Sequence, residues 1–417
     1  MKNKKILFVI IDGLGDRPVK QLKGRTPLEA AKKPNLKLMA SHGLCGMQNA
    51  LPPSVYPTSE ETHIALFGYD YKKDYPGRGV LEALGINAPL DKGDLAFRVD
   101  FGTVDENLKV IDPRAGNIQD IKDFVQVIGR RKIDNLDFKV YPGLAHRGVL
   151  IIKGANLSHR IHSHSTVISD TDPHKALPHK KNVKVLVPQP LESSLAALTT
   201  AKALWKYQQE VHQFLKDHPL NKKRMAQGLL PVNYLLTRGC GSYFKVDDFK
   251  TRYGLKAACV AGAPLYKGIA SFLGMDVIKV KGATGLYNSN YKAKVKAAKK
   301  ALKKYDFVYL HFKATDTAAE ELGDYNLKKK LIERIDKEMG SVRKLRGVIT
   351  FVSGDHTTAC EVKDHVEDPV PFLLYDGGKN RDGIADFGET SCRFGSFKEL
   401  RGKEIFAQIL KRSGRVN

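Results

Sequence analysis

An α/β fold, with a mostly parallel sheet between helices and a smaller α/β subdomain inserted into it, follows from three observations on this 417-residue chain. Short apolar, β-branched runs stop abruptly at Asp, Gly or His. Stretches with helical periodicity separate several of these runs, and strand–helix alternation is the pattern of parallel sheets covered on both faces. One stretch, 89–185, breaks the rhythm with shorter strands of its own and turn-rich, His-rich text.

The first element is KKILFVIID (4–12), a continuous apolar run of the kind buried on both faces, closed by Asp-Gly. Residues 26–41 open on Thr-Pro, a helix-entry signal, and Pro34 predicts a split into two short helices. Inside 89–185, LAFRVDFGTV and RGVLIIK read as the subdomain's strands, and an exit boundary as late as 240 is also compatible with the text. A long amphipathic helix over 191–215 then leads back to the core, made of 1–88 and 186–417. VNYLLTRG, LKAACVAG, MDVIKV, DFVYLHFKATD, GVITFVSGDH and PVPFLLYD are the core's further strands, with a helix over 326–340 among them. In such sheets function gathers just past the carboxyl ends of strands. Asp12, Asp316, Asp355 and His356 all stand at such ends.

Composition narrows the class. Hydrophobic residues at 42% and charged ones at 27% are globular proportions. The apolar run near the N-terminus is shorter than the ~7–15 residues of a signal core, and no stretch approaches the ~20 apolar residues of a membrane span. A cytoplasmic protein without a membrane partner is expected. Five scattered cysteines without a C-x-x-C pair suggest buried free thiols. The net charge of +24 raises the question of nucleic acid. Its lysines are spread along the chain without a nucleic-acid-binding signature, so a small anionic partner suits them better.

The chemistry-bearing residues fall in four places. Asp12 follows the first strand, where Asp-Gly is also an ordinary turn. Ser59 lies in PTSEETH, a pattern that equally describes a helix N-cap with an acidic first turn. The two readings are compatible, since a helix N-terminus stabilises an alkoxide or a phosphoserine. Asp316 and Glu320 are one helical turn apart and project the same way. Asp355 and His356 directly follow an apolar strand, a poor place for polar groups without partners, and His365 comes soon after. Several carboxylates and imidazoles from separate strands are what a two-metal phosphoryl-transfer site requires.

These segments carry a resemblance. IDGLGDRP (11–18), TPLEAAKKPNL (26–36), SEETHIALFGYD (59–70), GRGVLEALG (77–85), AHRGVL (145–150), ISDTDPHK (168–175), KATD (313–316) and GDHTTACEVKDHVEDPVP (354–371) resemble the archaeal-type 2,3-bisphosphoglycerate-independent phosphoglycerate mutases, a branch of the alkaline phosphatase superfamily. The similarity runs nearly end to end. It implies an alkaline-phosphatase-like core and interconversion of 3-phosphoglycerate and 2-phosphoglycerate through a phosphoserine on Ser59. It also implies two divalent metals, Mn²⁺ or Mg²⁺ before Zn²⁺. One metal would be held by Asp12, Ser59, Asp355 and His356, the other by Asp316, His365 and the residue at Glu320. Lys313 would assist catalysis and bind substrate together with Arg78, Arg114, His146, Arg147, Asp172 and Arg238.

The text departs from the family in places. Glu320 stands where the family has a histidine; a carboxylate suits Mg²⁺ or Mn²⁺ better than zinc. PTSEETH replaces a form like PGSDTAH, Asn117 stands where an Arg is more frequent, and GATGLYNSN (282–290) lacks an acidic residue after GATG. A metal-dependent phosphatase, a mutase for another small phosphorylated metabolite, and a non-catalytic metabolite-binding member are the competing readings. His162, His164, His174 and His179 in the insertion lack a metal-ligand spacing and read as loop or substrate-contact residues.

Overall fold

The computed structural model describes residues 3–167 and 179–415. The chain forms two compact units, one from Met1–Tyr75 with Val246–Asn417 and one from Pro76–Lys245.

The first unit is built on an eight-stranded sheet in the order Asp276–Val277, Ala257–Val260, Phe307–Phe312, Lys5–Ile11, Val348–Ser353, Val370–Tyr375, Leu44–Asn49, Glu399–Arg401. The strands from Asp276–Val277 to Val348–Ser353 are parallel to one another. Val370–Tyr375 is antiparallel to both of its neighbours, and Glu399–Arg401 pairs parallel with Leu44–Asn49.

Lys5–Ile11 is the central strand, and both its faces are covered. Leu7, Val9 and Ile11 enter one helical layer with Leu36, Met39, Val295, Leu331 and Met339. Phe8, on the alternate face, meets Phe67 at a ring distance of 5.3 Å. Burial on two sides is why this strand reads as unbroken hydrophobic text. Parallel pairing also sets Ile11 beside Phe312 and Ile10 beside Ser353. The residues that follow these strands, Asp12, Lys313 and Gly354-Asp355, therefore leave the sheet along one edge.

Pro34 divides 26–41 as expected, into helices Pro27–Ala30 and Pro34–Ser41. Thr26 and Glu29 form a reciprocal capping box on the first. Asp336 serves the second, accepting from the Leu36 backbone N–H at 2.7 Å.

The second unit holds an antiparallel sheet in the order Tyr234–Ser242, Leu95–Val104, Arg147–Lys153, Leu136–Pro142, Arg130–Ile133, with Val110–Asp112 added to Leu95–Val104. The helix Leu195–Lys216 covers one face, where Ala197, Leu204, Tyr207 and Val211 join Phe97 and Phe138. The helix Arg78–Gly85 covers the other, through Val80 and Ala83 against Ala96, Val149 and Ile151.

Three sequence expectations change here. VNYLLTRG, grouped above with the main sheet, contributes Tyr234–Ser242 and pairs antiparallel with Leu95–Val104. The helix expected over 191–215 begins at Leu195 and packs on this second sheet. By contacts the second unit runs from Pro76 to Lys245, starting before 89 and ending near the later of the two exits, 240, because a helix before 89 and a strand after 185 bury their apolar sides on Leu95–Val104. Periodicity reports that a strand exists, not which sheet it joins. The five cysteines are all free and buried. Among the described residues no helix is long and apolar enough to cross a membrane.

Gly79 sits where the Arg78–Gly85 helix crosses the sheet. A Cβ at this position would meet the Ala96 carbonyl oxygen at 2.2 Å and the Phe97 Cα at 2.7 Å, both backbone. Gly79→Ala is expected to lower unfolding free energy by about 1–3 kcal/mol through overpacking. Urea melts check this, and an unchanged midpoint counts against the close approach.

Candidate active site

The edge where the central parallel strands end gathers most of the predicted residues. Asp12, Asp316 and Asp355 are buried there beside His356. Three polar atoms converge on His356 Nε2: Ser59 Oγ at 3.1 Å, Asp355 Oδ2 at 3.3 Å and Asp12 Oδ1 at 3.6 Å. The ring's tautomer follows from its other side. Thr358 Oγ donates to Asp316 Oδ1 at 2.6 Å, so at 3.1 Å it accepts from Nδ1–H of His356. The lone pair of Nε2 thus faces the serine and the two carboxylates.

Ser59 owes its position to its helix, Ser59–Leu66. The N-cap is Thr58, whose side chain accepts from the Glu61 N–H, and not Ser59 as the N-cap reading above held. Ser59 is the first helical residue, which leaves its hydroxyl free of capping and close to the positive end of the helix. His63, one turn on, donates from Nδ1 to the Ser59 carbonyl at 2.6 Å and anchors that turn.

A second cluster adjoins the first. Asp316 Oδ1 lies 3.3 Å from His365 Nε2, and the His365 ring stacks on His356 at 3.6 Å. Tyr56 covers the outer face of His365. Asp12, Asp355 and His356 form one group able to hold a metal ion, and Asp316, His356 and His365 form another. Lys313 bridges them, 3.5 Å from Asp12 Oδ2 and in hydrogen-bond contact with Asp316.

The electrostatics suit a cation. Burial, then the neighbouring Asp12 charge, pushes the Asp355 carboxyl well above its usual range, and burial raises Asp12 too. Burial also disfavours charge on Asp316, but Lys313 outweighs it and holds that group low. Burial lowers His365, yet the hydrogen bond and charge of Asp316 together with Glu320 win and lift it to about 9. Asp12 Oδ1 and Asp355 Oδ2 are buried without a hydrogen-bond partner among the described residues. Orphaned acceptors facing a shared imidazole lone pair are a donor set that a divalent cation satisfies.

The Metalloenzyme superfamily matches residues 4–411 of the chain. The 2,3-bisphosphoglycerate-independent phosphoglycerate mutase of Sulfolobus acidocaldarius is 41% identical over 421 residues, covering 100% of this chain and 98% of its own. Mutase 1 of Methanocaldococcus jannaschii is 39% identical over 420 residues, with 100% and 98% covered. The chain belongs to the 2,3-bisphosphoglycerate-independent phosphoglycerate mutases. Solved structures agree: a Pyrococcus horikoshii protein superposes with a TM-score of 0.84 at 34% identity, covering 100% of this chain and 99% of that one. The cofactor-independent phosphoglycerate mutase of Thermoplasma acidophilum does so with 0.68 at 33%, covering 99% and 100%.

Not every residue expected in the mutase site joins the two clusters. Glu320, half-buried at the end of the helix Ala314–Glu320, stands outside both three-residue groups, although its charge acts on His365 and Lys313. Arg78, Arg114, His146, Arg147 and Arg238 belong to the second unit. Asp172 and His174 lie outside the described residues. In the second unit Asp100 is the hub: Arg238 reaches it at 2.9 Å, His179 at 3.5 Å and His146 at 3.6 Å. Glu82 takes Arg78 at 3.0 Å and Arg98 at 3.2 Å. Arg98 and Asp100 were missed, although polar residues two apart in the apolar strand LAFRVDFGTV were the available signal. His63, His311 and Thr358 were missed as well, since each sits in text that reads as plain helix or strand.

The loop after Asp12 is braced from behind. Lys328, fully buried, donates to Gly15 O at 2.7 Å and to Asp16 Oδ2 and Thr358 O at 2.8 Å, which uses all three of its hydrogens. Glu389 accepts from Asp16 N at 3.2 Å and from Thr26 Oγ at 2.7 Å. Burial raises the Glu389 carboxyl from 4.5 to about 7. With the folded pKa above the unfolded one, the native state binds the extra proton, so this contribution is full below pH 4.5 and is lost as pH rises through 7. Glu389→Gln is expected to melt above the parent protein at alkaline pH, with the difference vanishing near pH 4.5. Thermal melts at both pH values check this, and a constant difference contradicts it.

Proposed function

We propose that the chain interconverts 3-phosphoglycerate and 2-phosphoglycerate by passing the phosphoryl group through Ser59, with divalent metals held at the two clusters. The observation that carries this reading is the convergence of Ser59 Oγ, Asp12 Oδ1 and Asp355 Oδ2 on His356 Nε2. Asp12, Ser59, Asp355 and His356 would hold one metal; Asp316, His365 and Glu320 would hold the other. Divalent ions in these places supply polarisation of the phosphoryl oxygens and a lowered pKa for the attacking hydroxyl.

Ser59 gives up its hydroxyl proton and attacks phosphorus, the bond from phosphorus to the glycerate oxygen breaks, and the departing oxygen takes up a proton in place of the one Ser59 released. The helix N-terminus under Ser59 stabilises the resulting phosphoserine. Lys313 places its charge beside the transferring group. The other glycerate hydroxyl then attacks phosphorus and Ser59 is restored. Arg78, Arg114, His146, Arg147, Asp172 and Arg238 bind the anionic and hydroxyl groups of the substrate, for which guanidinium forks are suited. The oxygen-rich ligand set favours Mn²⁺ or Mg²⁺ over Zn²⁺.

An enolase-coupled assay tests the reading. Activity with Mn²⁺ is expected to vanish on chelation and return on metal addition, and Ser59→Ala is expected to lower kcat by more than about 10³-fold. Free phosphate released in place of 2-phosphoglycerate would turn the assignment to a phosphatase. Glu320→His is expected to shift the activating preference from Mn²⁺ toward Zn²⁺, read from activity titrations with each ion; an unchanged preference removes Glu320 from the ligand set.

A further inference from the structure

His311 takes no part in the chemistry just described, yet it is fully buried against Asp12. It occupies the penultimate position of the strand Phe307–Phe312, paired in register with Ile10. Its Nε2 lies 3.1 Å from Asp12 Oδ2. A carboxylate oxygen only accepts, so Nε2 carries the hydrogen and donates it. The ring is clamped: it stacks on Tyr266 at 3.5 Å and 23°, and its backbone carbonyl accepts from the buried Lys294. The Asp12 backbone is pinned as well, its N–H donating to Phe312 O at 2.8 Å and its carbonyl accepting from Thr315 Oγ.

The two oxygens of Asp12 thus have different surroundings. Oδ2 accepts from His311, with Lys313 3.5 Å away. Oδ1 has no hydrogen-bond partner among the described residues and faces His356 Nε2 at 3.6 Å. We infer that His311, seated on Tyr266, is a positioning residue: it locks the Asp12 carboxylate so that Oδ1 is the oxygen presented to a divalent metal. This rests on the reading of Asp12 as a metal ligand. Outer-shell donors to metal-binding groups commonly set affinity by 10–100-fold, and among the described residues no hydrogen bond or ion pair joins His311 to Asp316 or His365 of the second cluster.

The test is calorimetric titration of the chelator-treated chain with Mn²⁺, without substrate. His311→Phe keeps a ring for Tyr266 and removes the donor. His311→Gln keeps a donor of similar reach. The expected result is about 10–100-fold weaker binding of one Mn²⁺ in His311→Phe, with the other unchanged and with affinity largely recovered in His311→Gln. A merely structural role would lower the melting temperature of both variants and leave Mn²⁺ affinity alone. Tyr266→Leu, which removes the ring that seats His311, is titrated alongside and is expected to weaken the same ion; it serves if His311→Phe does not fold. Parent protein that binds Mn²⁺, with His311→Phe or Tyr266→Leu binding both ions equally well, overturns the inference alone. Parent protein that takes up no Mn²⁺ overturns the metal reading and this inference with it.

Discussion

Three carboxylates, Asp12, Asp316 and Asp355, lie buried at one edge of a parallel sheet, and their mutual repulsion is the constraint to which the rest of the first unit answers. Removing an ionised carboxylate from water costs several kcal/mol unless charge and hydrogen bonds compensate. Lys313 supplies charge to Asp12 and Asp316. Asp355 Oδ1 accepts from the backbone N–H groups of Gly13 and His356, Asp316 accepts from Thr358, and Asp12 Oδ2 accepts from His311. What remains uncompensated is Asp12 Oδ1 and Asp355 Oδ2, both aimed at His356. Every other oxygen of the three carboxylates is satisfied, and these two are left in a group able to hold a metal ion.

The rigidity of that arrangement comes from behind the edge. Lys328 joins Gly15, Asp16 and Thr358, so the loop carrying Asp12 and the strand following His356 cannot drift apart without breaking a fully satisfied buried ammonium. Parallel strand pairing sets the coarse spacing, and side-chain hydrogen bonds set the finer one. The second unit meets charge burial with the opposite balance. Asp100 and Glu82 lie among Arg98, Arg238 and Arg78, and burial together with Arg98 lowers Arg238 to about 9 while the cations hold Asp100 low.

Much of this was legible in the sequence, for identifiable reasons. The apolar run before Asp12 and the one before Asp355-His356 announce buried strands, and polar residues at buried strand ends need partners. Pro34 marked a helix break because its ring excludes helix continuation. Less legible were His311 and Thr358, since a polar residue inside a strand reads the same whether it faces solvent or a carboxylate. The sheet that receives Tyr234–Ser242 was illegible, because pairing partners far apart in the chain leave no local signature.

The sequence by itself determined the element types, the family and the list of chemical groups, because these depend on residue identity and local period. Only the tertiary structure decided which oxygen of Asp12 is free, which nitrogen of His356 faces Ser59, and that Thr58 caps the helix so that Ser59 does not have to. Those are questions of direction, and direction at a site assembled from residues some 300 positions apart is fixed by packing and hydrogen bonding across strands.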